Sequence, residues 1–169
     1  MLKLTLAAVD RGEVRIRETV PPDAPMWSET NVRLAAPLQV DLRASSVGEG
    51  VLVRGSLATE VVRECRRCLK EVRTDLDLHV DLLFEPVSPE DEDDAGGEVY
   101  PLPQRGTELD LTDAVREQVV LNAPDYVLCR EDCRGLCAQC GADRNETACD
   151  CVSEQAPSPW DALNKLKQD

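Results

Sequence analysis

The chemistry open to this chain is dominated by eight cysteines. They fall in four close pairs: Cys65-x2-Cys68, Cys129-x3-Cys133, Cys137-x2-Cys140 and Cys149-x-Cys151. Two thiols this close can point both sulfurs at one ion from a tight turn, and a tetrahedron of thiolates suits zinc. Gly141, directly after Cys140, supplies the backbone freedom such a turn needs. The count predicts two structural zinc ions, each held by four sulfurs, with no thiol left over. The spacing leaves the grouping open. Cys137, Cys140, Cys149 and Cys151 can share one ion while Cys65, Cys68, Cys129 and Cys133 share the other. In the rival grouping, Cys65 and Cys68 meet Cys137 and Cys140. Either arrangement leaves no open coordination position, which makes the expected sites structural rather than catalytic. The alternatives are zinc released on oxidation, an iron–sulfur cluster, and free or disulfide-linked thiols.

Around the first pair stand Arg63, Arg66, Arg67, Lys70 and Arg73, against Glu64 and Glu71, a local net charge of +3. Guanidinium groups fork well onto phosphate, so this is the candidate nucleic-acid contact. The preferred reading is blander: these bases are solvated, or they offset the negative thiolate site. His79 is the one histidine, and we read it as a surface or satisfied side chain of a strand. The sequence shows no Ser/His/Asp set, no phosphate-binding loop and no open metal site. We expect no enzymatic activity and no small-molecule substrate.

The elements that must position these groups follow from periodicity. Leu38, Val40 and Leu42 alternate with polar residues, as do Val51, Val53, Gly55 and Leu57, with a turn expected over Ser45–Gly50. Leu76, Leu78, Val80 and Leu82 alternate in the same way. The Cys65–Cys68 pair therefore belongs at the tip of an antiparallel hairpin. Two short apolar-rich runs, Leu2–Val9 and Val14–Val20, come before it, and Val20–Thr30, with three prolines, reads as a loop. Leu111, Val115 and Val119 form one stripe of a helix, with Asp110 as its expected N-cap, Asp113 near its positive end and Pro124 as its stop. A closing helix is expected from about Pro159 to Lys167, with Trp160 and Leu163 on its apolar face. The fold class expected is α+β: an antiparallel sheet, a middle helix, a C-terminal cysteine-rich zinc module and a short closing helix. Residues 1–84 form the mainly β region, 85–98 an acidic flexible loop, and 99–169 the helix, zinc module and closing helix. The first and last of these are expected to pack as one compact domain.

Composition narrows the partners. The chain has 169 residues and a formal charge of −14, with 42 % apolar residues and five aromatics. Its core must be mostly Leu, Val and Ala. Residues 1–68 carry a net +1 and residues 69–169 a net −15, with seven acids and no base in 85–98. Two filled four-thiolate zinc sites would deepen the total to about −18. Such acidity opposes non-specific binding to nucleic acid and suits a basic partner. No run is long and apolar enough for a signal-peptide core or a membrane span. We expect a cytoplasmic chain, where paired cysteines read as metal sites before disulfides.

The run Cys129-x3-Cys133-x-Gly135-Leu136-Cys137-x2-Cys140-Gly141-x3-Asn145-x3-Cys149-x-Cys151 resembles the C-terminal signature of the YceD family, the large ribosomal RNA subunit accumulation proteins. Cys65-x-Arg67-Cys68-Leu69 resembles its central knuckle, and Glu117-x-Val119-Val120-Leu121-x2-Pro124 its helix. Pro159-Trp160-x2-Leu163-x2-Leu166 resembles its closing helix, although many members have Arg where this chain has Trp160. The acidic middle loop is typical as well. The resemblance implies a role in ribosome biogenesis, with a ribosomal protein, large-subunit rRNA or a pre-ribosome as partner. It implies no catalytic residues. Some members lack most of the C-terminal cysteines, which implies that the metal there is scaffold. A redox-switched zinc chaperone and a zinc-ribbon adaptor of the transcription machinery are the rival functions.

Overall fold

The computed structural model describes residues 2–86, 99–103 and 107–151. The acidic loop, apart from its first residues, and the expected closing helix lie outside the described residues. In chain order the elements are strand β1 (Lys3–Thr5), a single helical turn α1 (Leu6–Val9), β2 (Val14–Val20), β3 (Arg33–Leu34), β4 (Leu38–Val47), β5 (Gly50–Glu64), β6 (Glu71–Glu85), β7 (Val99–Pro101), β8 (Glu108–Asp110) and helix α2 (Thr112–Asn122). A 3-10 turn, Pro25–Trp27, interrupts the loop before β3.

The main sheet has the order β2-β4-β5-β6-β7, and β3 adds to β5. All its pairings are antiparallel except β6 with β7, which is parallel over Leu83–Glu85. The expected antiparallel sheet is thus present, with one short parallel strand added at this edge. Parallel neighbours need a crossover, and the chain between β6 and β7 is long enough to provide one. The expected Ser45–Gly50 turn is tighter than its residues suggested, because β4 and β5 pair up to Val47 opposite Gly50. Only Gly48 and Glu49 turn the corner, with Gly48 at φ +61, as the first position of a two-residue hairpin loop favours.

Alternation decides which face is buried. Leu38, Val40, Leu42 and Ala44 of β4, Val51, Val53, Leu57 and Val61 of β5, and Leu76, Val80, Leu82 and Phe84 of β6 all point inward. Each large apolar side chain so buried contributes about 1.5–3 kcal/mol. Ala114, Val115 and Val119 of α2 close this face, together with Trp27, whose ring is buried while its Nε1 donates to Pro21 O. The helix begins one residue later than expected. Leu111 occupies the cap position, and Asp110 accepts a 2.9 Å hydrogen bond from Thr112 N from one residue further out. The run Leu2–Val9 divides between β1 and α1, and β1 pairs with β8 in a separate two-stranded sheet.

β5 and β6 each span 15 residues, about 50 Å at the rise of a strand. Their register runs unbroken to Glu64 opposite Glu71. Neighbouring strands support less of that length. β4 reaches only Ala58, and β3 covers Val61 and Val62. The tip of the hairpin, which carries Cys65 and Cys68, therefore extends past its sheet neighbours and draws its packing from elsewhere.

Candidate metal centres

The structure brings all eight cysteines into two groups. Cys65, Cys68, Cys129 and Cys133 form one; Cys137, Cys140, Cys149 and Cys151 form the other, and within each group the sulfurs lie within 4.8 Å of one another. The crossed grouping is not formed. In the first group, Cys65 and Cys133 sulfurs are 3.8 Å apart and Cys68 and Cys129 sulfurs 3.6 Å apart. Sulfurs about 2.3 Å from a central zinc would be separated by about 3.8 Å along each tetrahedral edge. A disulfide would need about 2.05 Å. The spacing fits four ligands around one ion, and these thiols are unbridged.

The two knuckles are built alike. Leu69 N donates to Cys65 O and Cys65 N to Lys70 O. In the second, Gly141 N donates to Cys137 O and Cys137 N to Ala142 O. Both need a left-handed residue directly after the second cysteine: Gly141 at φ +73, Leu69 at φ +59. Glycine takes this conformation without strain, and leucine does not. Leu69 is also 58 % exposed, so its side chain gains little burial to offset that strain.

Burial separates the two groups. Cys65, Cys68 and Cys133 are buried, packed with Val72, Leu128 and Leu136 as a small core under the hairpin tip. In the second group Cys140 and Cys151 are exposed, and Cys137 and Cys149 half-buried. Desolvation pushes the Cys65 thiol up, but hydrogen bonds from the backbone of Cys129, Arg67 and Cys68 outweigh it and hold it near 6. The Cys137 thiol is held to about 6 by the backbone of Cys140 and Gln139. Desolvation and the neighbouring thiols of Cys68 and Cys133 push Cys129 up to about 12, and Cys140 and Cys137 do the same to Cys151. Each group thus favours some thiolate in advance and crowds further negative charge, the electrostatics a divalent cation would relieve.

The basic residues around the first knuckle, though mostly exposed, bind groups of their own chain. Arg66 Nε donates to Asp125 O at 2.8 Å, and Arg66 N to Val127 O. Arg67 Nη1 donates to Cys133 O at 2.8 Å and to Glu131 O at 3.2 Å. Arg63 donates to Asn31 O, and Arg73 pairs with Glu60. Lys70 binds Asp143 at 2.8 Å and also Glu146. These side chains raise the Lys70 pKa, and Lys70 in turn holds the Asp143 carboxyl at about 2. All five bases thus have partners within the chain, and three of them tie the hairpin tip to the segment carrying the other cysteines.

Sequence reasoning gave Asn145 no role. Its Oδ1 accepts from Arg134 N and Arg130 Nη2, and its Nδ2 donates to Asp143 and lies 3.5 Å from Cys133 sulfur. It joins the loop of the second group to a ligand of the first. The signal available was its fixed place between cysteines, which spacing alone cannot turn into a contact. Gly135, at φ +71, is required by the same junction: a Cβ there would lie 2.7 Å from Arg67 O, which accepts from Leu136 N. His79 sits on the exposed face of β6 opposite Ser56.

Residues 53–167 match the family model described as large ribosomal RNA subunit accumulation protein YceD. The chain belongs to the YceD family. An uncharacterized protein of Mycobacterium leprae is 38 % identical over 133 residues, covering 76 % of this chain and 59 % of that protein. One from Mycobacterium tuberculosis strain H37Rv is 42 % identical over 105 residues, covering 62 % and 50 %. The chain thus spans between half and three-fifths of these mycobacterial proteins. An Arabidopsis thaliana protein, named large ribosomal RNA subunit accumulation protein YCED homolog 1, chloroplastic, is 30 % identical over 66 residues, covering 39 % and 21 %. No solved structure matches. The YceD name ties the family to accumulation of large-subunit rRNA, not to a catalysed reaction. No helix among the described residues is long and apolar enough to cross a membrane.

Proposed function

We propose that the chain is a non-catalytic factor of ribosome biogenesis that supports accumulation of large-subunit rRNA by holding a basic ribosomal protein. The observation that carries this choice over direct rRNA binding is the internal engagement of Arg66, Arg67 and Lys70. Bases committed to carbonyls and carboxylates of their own chain are poor hooks for phosphate, while the net charge of −14 favours a cationic protein. Each four-cysteine group holds one structural zinc ion, and the residues on both sides of the acidic loop act as one domain in the cytoplasm. The zinc supplies cross-linking; the cysteines supply a closed donor set that keeps substrate and water off the metal.

Capture of the tagged full chain from cells at low salt, with and without ribonuclease, tests the partner. A basic large-subunit ribosomal protein should be retained after ribonuclease treatment. Loss of every ribosomal protein with the RNA would overturn the choice in favour of rRNA contact. The exposure of Cys140 and Cys151 favours one second reading, a zinc chaperone switched by oxidation of the outer group. Zinc retained in millimolar peroxide would remove it.

A further inference from the structure

Among the described residues, one long backbone edge of the sheet has no partner. β6 is paired along its whole length with β5 on one side. On the other side β7 covers only Leu83–Glu85. Among the described residues, none pairs with β6 from Glu71 to Leu82 on that side. This slot is about 40 Å long at the rise of a strand. The end of β7 bounds it at one side and the Cys65–Cys68 knuckle at the other. Unpaired alternate N–H and C=O groups of such an edge are a template for an added strand.

The side chains along the slot say what kind of strand fits. On the outer face stand Glu71, Arg73, Asp75, Asp77, His79 and Asp81. Arg73 is paired with Glu60, Glu71 with Arg33 and Asp81 with Arg54. Asp75 and Asp77, both exposed, have no ion-pair partner among the described residues. On the inner face Leu76 is buried and Leu78 half-buried at the margin of the core. An added strand would set one row of side chains beside Asp75 and Asp77 and the other beside Leu76 and Leu78. Opposite charges across neighbouring strands are favourable, and like charges are not.

We infer that the free edge of β6 binds an extended protein segment in which Lys or Arg alternates with apolar residues, by adding it to the sheet as a strand. This rests on the reading that the partner is a basic protein, and it names the surface. The probe is a ten-residue synthetic peptide alternating Lys and Val, with an alternating Glu and Val peptide as control, added to the zinc-loaded full chain. Hydrogen exchange should slow across 71–82 with the first peptide and not with the second. Asp75→Lys with Asp77→Lys, both surface changes, should weaken binding about tenfold, from two cross-strand pairs turned repulsive. Protection elsewhere, no protection, or unchanged binding by the double variant overturns the inference. So does an edge that already exchanges as slowly as β5 in the free chain, because the chain itself then covers it. Capture from cells separates the two levels. A basic ribosomal protein still retained by the double variant overturns the surface and leaves the partner reading standing. If the wild-type chain captures none, the partner reading fails, and the exchange result alone decides whether the edge takes a basic strand.

Discussion

Single residues in the sheet carry more constraint than their types advertise. Gly55 reads in sequence as one more position of an alternating strand. Across the ladder, a Cβ at that position would collide with Asp41 O and stand 2.9 Å from Leu42 Cα. Gly55→Ala should lower the unfolding free energy by about 1–3 kcal/mol, the usual cost of overpacking, read from urea denaturation of the zinc-loaded chain. Asp41 is constrained electrostatically. Arg15 binds it through two hydrogen bonds of 2.9 and 2.7 Å, Arg17 adds a third, and the carboxyl is held at about 2 against an ordinary 3.8. A carboxyl lowered on folding stabilises the fold while it is ionised. Its contribution is full above the unfolded value near 3.8 and is lost as pH falls through about 2. The stability difference between wild type and Asp41→Asn should therefore be constant near neutrality and vanish towards pH 2. A difference that grows on acidification would refute the assignment.

Among the elements, the β5–β6 hairpin was the most legible in sequence, because Val51, Val53, Leu57, Leu76, Val80 and Leu82 keep one strict period. The two-group arrangement of the cysteines was readable as one of two possibilities, since nearness in sequence favours it but does not compel it. Less local features were hidden. The pairing of β1 with β8 joins residues more than a hundred positions apart, and three-residue strands carry no period to read. The engagement of Arg66 and Arg67 with backbone carbonyls was equally invisible, because a base beside thiolates looks the same in sequence whether or not it reaches a carbonyl. Trp27 lay in a stretch read only as a proline-rich loop, yet it plugs the core beside α2. The element-scale prediction concerns the tip. The first group joins residues 61 positions apart, Cys68 and Cys129, whereas the second spans only Cys137 to Cys151. By loop entropy a cross-link over roughly 60 residues is worth about 4 kcal/mol, and one over roughly 14 about 3. Cys65→Ser should therefore lower the melting temperature more than Cys149→Ser. Burial of the first group adds to the gap, since a serine hydroxyl there is desolvated. Equal losses would show that the tip does not depend on its cluster.

At the scale of the whole molecule, the zinc-loaded chain should contain two metal ions, and either cysteine variant should contain one, by elemental analysis against protein concentration. A wild-type ratio of one would leave one four-cysteine group without its ion. The arrangement of the first group has a further consequence, in time rather than space. Protein synthesis proceeds from the N-terminus at about 5–20 residues per second. The β4–β5–β6 meander can pair once Glu85 has been made, but Cys129 and Cys133 follow some 44 to 48 residues later. For roughly 2–10 s the nascent hairpin presents Cys65 and Cys68 as half a site. The second group assembles from one short stretch almost at once. A late-made part of the described chain therefore completes the tip of an early one, and an error in that late segment leaves an otherwise finished sheet with an open end.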